Sequence, residues 1–160
     1  MNLAAANAAG ASDFADIAEH APWVAQFAFR SAPFESRDAM INAFTMAVHH
    51  ADPDDQLALL CAHPELATRA KLTTDSTNEQ KGAGLDTLTA KEFAHFTALN
   101  TAYKEKNGFP FIFAVKGASK HQILAGFKER IVNDSETEFA TALQQVCRII
   151  RFRLEDRVHE

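Results

Sequence analysis

His63 stands directly before a proline, and the chain then offers Ser76, Asn78, Glu79 and Gln80 within five residues. The stretch from His63 to Gln80, HPELATRAKLTTDSTNEQ, gathers more groups able to move a proton or hold a polar ligand than any other part of the chain. An unperturbed imidazole titrates at about pH 6.5, so both of its protonation states are within reach at neutral pH and His63 leads as general acid or base. The plainer reading is a histidine that merely ends a helix.

Ser76-Thr77-Asn78-Glu79 has the spacing of a capping box, with a loop over 74–78 and Glu79 opening a turn that ends near Gly82 and Gly84. A helix start also presents free amides to an anion, and Ser76, Glu79 and Gln80 fall at that spot. The two readings agree on Ser76 and compete for the Glu79 carboxylate.

Arg153 falls between Val146, Ile149 and Ile150 on the apolar stripe of the last expected helix, at about 100° per residue. A guanidinium there needs an anion from protein or ligand, or must snorkel to water. Arg157 repeats the position one turn later, nearer the end. Phe109 to Val115, FPFIFAV, has the period of a buried strand but no second strand to pair with, so it is expected to be extended or irregular. The backbone amides of Phe111, Ile112, Phe113, Ala114 and Val115 must then serve a ligand or be satisfied by neighbouring helix ends, and the sequence leaves both open.

Metal readings fail on count. Glu92-Phe-Ala-His95 has the Glu-x-x-His spacing of di-iron bundles without the second copy such sites need. His49-His50 has no zinc-protease context, Gly82-Ala-Gly84 lacks a phosphate-loop or dinucleotide fingerprint, and Cys61 near His63 is too common a pairing to imply a thiol nucleophile.

These residues need a scaffold, and the periodicity supplies helices. Phe14, Ile17, Ala18 and Ala21 suggest a short helix closed by Pro22; residues 1–11 are expected to fray. Ser36 is a candidate N-cap for a helix through Val48, and Asp52-Pro53-Asp54-Asp55 opens another. Pro64 cannot continue that helix, which leaves His63 at a corner before a short helical segment. Thr89 to Glu92 is a capping box before Phe93, Phe96, Leu99 and Tyr103; Gly108 ends that helix, Ser119 caps the next, and Ser135 with Glu138 is a further capping box. The expected fold is all-α, a single domain over 1–160 with about seven or eight helices in one compact bundle.

Composition excludes several classes. At 160 residues the chain is long enough for one core without disulfide or metal staples, and 13 phenylalanines make that core bulky. A net charge of -5 argues against a sequence-independent grip on nucleic acid. Two cysteines without CxxC spacing suit a reducing compartment, and no apolar run approaches the roughly 20 residues that span a bilayer. The N-terminus lacks a basic signal-peptide region and the C-terminus lacks a Ser-Lys-Leu address, so a cytoplasmic location is expected.

Taken together, Pro22-Trp-Val24, Pro33-Phe34, His63-Pro-Glu-Leu-Ala67, Ser76 with Glu79-Gln80, Ala83-Gly-Leu-Asp86, Leu99-Asn100, Tyr103, Gly108-Phe-Pro-Phe-Ile112, Val115-Lys-Gly117, Arg130 and Arg153-Leu154 resemble one family. It is the 2-oxo-4-hydroxy-4-carboxy-5-ureidoimidazoline (OHCU) decarboxylases of urate breakdown. The ordered set HPxLA, SxxEQ, GFPFI and VKG carries the resemblance across most of the chain. Two departures, Ala32 before Pro33 and Asn107 before Gly108, lie outside the positions carried over.

The resemblance implies an all-helical homodimer that converts OHCU to (S)-allantoin without metal or organic cofactor. It also implies His63 as the catalytic acid, with Glu79 acting beside it. Pro64, Ser76, Thr77, Asn78, Gln80, the backbone of Phe111 to Val115, and Arg153 then surround the substrate. Association with other urate-pathway enzymes stays open. The competing reading is a silent helical module that holds a heterocycle or partner helix in a Phe-rich cleft. Hydrolysis of the preceding intermediate, 5-hydroxyisourate, fits worse, because that chemistry usually sits on a β-rich fold.

Overall fold

The computed structural model describes residues 1–68 and 72–160. Among these the fold is all-α: α1 Leu3–Ala9, α2 Pro22–Ala28, α3 Arg37–His49, α4 Pro53–Ala62, α5 Thr74–Gly82, α6 Ala90–Asn107, α7 Lys120–Arg130 and α8 Ser135–Arg157. Among the described residues, extended pairing is limited to an isolated bridge between Asn2 and His159. The short helical segment expected after Pro64 falls partly on residues 69–71, outside the described residues. The chain divides into two compact units, one of Met1–Ala62 with Val146–Glu160 and one of His63–Gln145. Helix α8 contributes to both.

The first unit is built on a phenylalanine cluster. Phe14 packs on Phe29 with centroids 5.5 Å apart, Phe29 meets Phe34 edge-on at 5.2 Å, and Phe44 closes the group. The first eleven residues do not fray. The Asn2 side chain caps α1 by accepting Ala5 N–H, and Asn7 bonds both the N–H and the carbonyl of Phe34. Pro22 opens α2 instead of closing a helix, because proline at the first helical position loses only an N–H that would have had no partner. The preceding pattern from Phe14 to Ala21 is a 3-10 turn followed by irregular backbone. Ser36 caps α3 as the sequence predicts, accepting Ala39 N–H at 3.0 Å.

The second unit has its own aromatic core. Phe111 stacks on Phe127 at 3.8 Å and 10°, with Tyr103 edge-on to Phe109, Phe111 and Phe127. Thr89 and Glu92 form the reciprocal capping box at the start of α6, and left-handed Gly108 ends it. Ser119 caps α7 with Gln122 as its reciprocal partner. For α8 the cap is Asp134, whose carboxylate accepts Thr137 N–H at 2.8 Å. Ser135 does not cap; its hydroxyl donates to the Lys106 carbonyl. Glu138 is thereby released from any capping box, and its carboxylate is buried instead against Tyr103, Arg130 and Asn133.

Candidate active site

Helix α4 ends at Ala62, and His63 is the next residue, with Pro64 denying the chain another turn of helix. The imidazole is buried, 6% exposed, with Nε2 inside the protein.

The residues that follow are held by side chains. Ala67 N–H donates to Gln80 Oε1 at 3.0 Å, Gln80 Nε2 donates to the Glu65 carbonyl at 3.2 Å, and Asn100 Nδ2 donates to the Leu66 carbonyl at 2.8 Å. Ala67 has φ 58°, the left-handed region that a side chain adopts at a cost of roughly 1 kcal/mol, so these bonds offset local strain.

Helix α5 presents the remaining polar groups. Thr73 is its N-cap, accepting Ser76 N–H at 3.3 Å, so the helix begins at Thr74 and the loop and capping box expected over 74–79 are absent. Ser76 and Gln80, four residues apart, share the buried face; Glu79 is half-buried; Thr77 and Asn78 are exposed. Thr77 and Gln80 line a cavity of about 390 Å³ together with Thr68, Leu72, Lys81, Leu85 and Asp86.

The segment Phe111 to Val115 is neither helix nor strand and is largely buried, within the extended or irregular backbone its sequence predicts. Two of its backbone groups are used by the protein itself. Gln145 Oε1 accepts Ala114 N–H at 2.9 Å, and Arg130 Nη1 donates to the Ile112 carbonyl at 2.6 Å while its guanidinium covers the Phe111 ring. The Ala114 N–H is thus taken by a side chain, a partner that neither alternative read from the sequence named. The Phe113 ring packs so closely on α7 that a Cβ at Gly126 would lie 2.9 Å from it.

Arg153 belongs to the first unit, where it is 5% exposed. The anion required by its place on the apolar stripe is Glu19, 2.7 Å from Nη2, and Nη1 donates to the Ile17 carbonyl. Glu19 itself has φ 52°. Arg157 pairs with Asp16 through both terminal nitrogens and holds that carboxyl below its usual range.

Asn100 escaped the sequence reading except as part of a resemblance. Its signal was present: Phe96, Asn100 and Tyr103 form the buried stripe of α6, so a polar side chain sits among aromatics where it must find a partner. Among the described residues no group of three or more His, Cys, Asp or Glu could hold a metal ion, and no helix is long and apolar enough to cross a membrane.

The fold is that of an all-helical protein, with a buried histidine at the end of α4 and a backbone stretch after it that Gln80 and Asn100 hold. A family model described as OHCU decarboxylase matches residues 4–155, and the chain belongs to that family. A Haloferax volcanii protein named 2-oxo-4-hydroxy-4-carboxy-5-ureidoimidazoline decarboxylase is 42% identical over 144 residues, 90% of this chain and 86% of the relative. The uric acid degradation bifunctional protein of Bacillus sp. strain TB-90 is 39% identical over the whole chain, which spans only 33% of that relative. Among solved structures, an (S)-allantoin synthase superposes with TM-score 0.75 at 34% identity, covering 92% of this chain and 49% of the other. An OHCU decarboxylase crystallised in the presence of (S)-allantoin has TM-score 0.73 at 23% identity, a likeness of fold, covering 91% and 96%.

Proposed function

We propose that this chain decarboxylates OHCU to (S)-allantoin in urate breakdown, as one functional domain and without a cofactor. The observation that carries the reading is the buried His63 at the end of α4, inside the HPELA motif of a chain matched by the OHCU decarboxylase family over 4–155.

The chemistry needs little from the protein. The bond from ring carbon to carboxylate breaks, CO2 leaves, and the electron pair spreads over the ring, which acts as its own electron sink. One proton then completes the product. His63 donates that proton from one side and so sets the hand of allantoin, a contribution of roughly 10² to 10⁴ in rate. Glu79 and Gln80 orient the hydroxyl and ureido groups; each end of the Gln80 amide keeps one hydrogen-bonding capacity beyond its bonds to Glu65 and Ala67. Pro64, Ser76, Thr77, Asn78 and the Phe111 to Val115 backbone complete the surround, with Ala114 N–H and the Ile112 carbonyl serving the protein itself. On the family resemblance alone, Arg153 stabilises negative charge on the substrate.

The test generates OHCU from urate with urate oxidase and hydroxyisourate hydrolase, adds the protein, and follows circular dichroism. Accelerated decay with one optically active allantoin, lost in His63→Asn, is the expected result. Unaccelerated decay to racemic product from folded protein would overturn the reading in favour of a silent binding module.

The enzyme is further proposed to be a cytoplasmic homodimer, and its match to part of a bifunctional relative supports association with other urate-pathway enzymes. A monomer mass by light scattering would remove the first of these assemblies, and failure to co-purify with those enzymes the second.

A further inference from the structure

Residues 65–67 follow His63 without a helix or strand to define them, and three hydrogen bonds from two helices take that part. Gln80 on α5 holds Glu65 and Ala67, and Asn100 on α6 holds Leu66 between them. Pro64 contributes no N–H and a nearly fixed φ, so a displacement of the 65–67 backbone is passed on to His63 with little slack.

We propose that Asn100, together with Gln80, forms a two-helix clamp that aims His63 at the substrate, which makes Asn100 a positioning residue for the decarboxylation. The inference rests on the reading of His63 as the proton donor.

Burial argues for a role beyond packing. Asn100 is 6% exposed, lies between Phe96 and Tyr103 on the α6 stripe, and its Oδ1 is buried with no hydrogen-bond partner. A leucine would fill that place without leaving an acceptor dry. What leucine cannot do is hold the Leu66 carbonyl at 2.8 Å. The clamp also keeps Ala67 left-handed, a conformation an alanine leaves readily when its N–H is released.

Loss of the clamp should move the acid without removing the groups that bind substrate. In the coupled OHCU assay, Asn100→Leu is expected to lower kcat by roughly 10- to 100-fold, the effect of displacing a catalytic group by up to about 1 Å. KM should stay within about twofold, and the optical purity of the allantoin should fall, because protons then arrive from either face. Asn100→Met fills the place with a flexible apolar side chain that has no donor for Leu66, and should give the same kcat loss and the same stereochemical leakage. A merely structural asparagine would lower the melting temperature and leave the optical purity of the product intact.

Wild-type kcat and wild-type optical purity in either folded variant would overturn the clamp. Failure of the underlying reading looks different: the wild-type protein would not accelerate OHCU decay, or His63→Asn would remain active.

Discussion

The Tyr103 hydroxyl donates to Glu138 Oε1 at 2.7 Å, and Glu138 is fully buried. Arg130 Nε and Asn133 Nδ2 bond the same carboxylate, and Arg130 reaches on to the Ile112 carbonyl. Burial, and then the neighbouring carboxylate, push the Tyr103 phenol well above its ordinary range, so it stays a donor at any working pH. Glu138 on α8 thus joins α6 and α7, and Arg130 adds the 111–115 stretch.

Tyr103→Phe keeps the ring contacts and removes only the donor. The carboxylate keeps Arg130 and Asn133, so the expected loss is about 1–3 kcal/mol in urea unfolding, the range for a hydrogen bond to a charged group. An unchanged midpoint would show that the phenol adds nothing to the Arg130 pair.

Glu79→Gln separates two roles. Thr73, not Ser76, caps α5, so Glu79 is not the reciprocal partner of a capping box. OHCU turnover should fall by roughly 10² or more if the carboxylate orients substrate. Full turnover in the coupled assay would remove Glu79 from the reaction.

Gly126→Ala tests the seat of the 111–115 segment. Alanine favours the helix by about 1 kcal/mol, but its methyl would lie 2.9 Å from the Phe113 ring, which must then shift. Overpacking of this kind costs about 1–3 kcal/mol, so a net loss of up to about 2 kcal/mol is expected in urea unfolding. A stabilising outcome would show that Phe113 is loosely held.

Glu92 gives the chain an acid-dependent element of stability. The Thr89 N–H, and then Lys120 at 2.9 Å, lower its carboxyl to about 2 from an ordinary 4.5. A depressed folded value contributes stability above pH 4.5 and loses it as the pH falls toward 2. The melting temperature of Glu92→Gln should therefore lie below wild type at pH 6, with the gap closing across that window. A gap that persists at pH 2 would rule out the charge as its source.

Much of this protein was legible in the residues because it rests on local physics. Prolines and small polar caps act within one turn, so Ser36, Thr89, Gly108 and Ser119 marked their helix ends, and Pro64 placed His63 at a corner. The apolar stripe of α8 announced that Arg153 needed an anion. Local signals failed where two adjacent candidates competed for one cap: Thr73 and Asp134 took the positions assigned to Ser76 and Ser135. Pattern alone ranks such neighbours poorly, because the choice depends on which face each helix must bury.

Tertiary structure decided the partners. Glu19 is 134 residues from Arg153, Glu138 is 35 from Tyr103, and Asn100 is 34 from Leu66. A buried charge or amide states in the sequence that it must be satisfied. Which group satisfies it depends on distances between segments far apart along the chain, and only folding sets those distances.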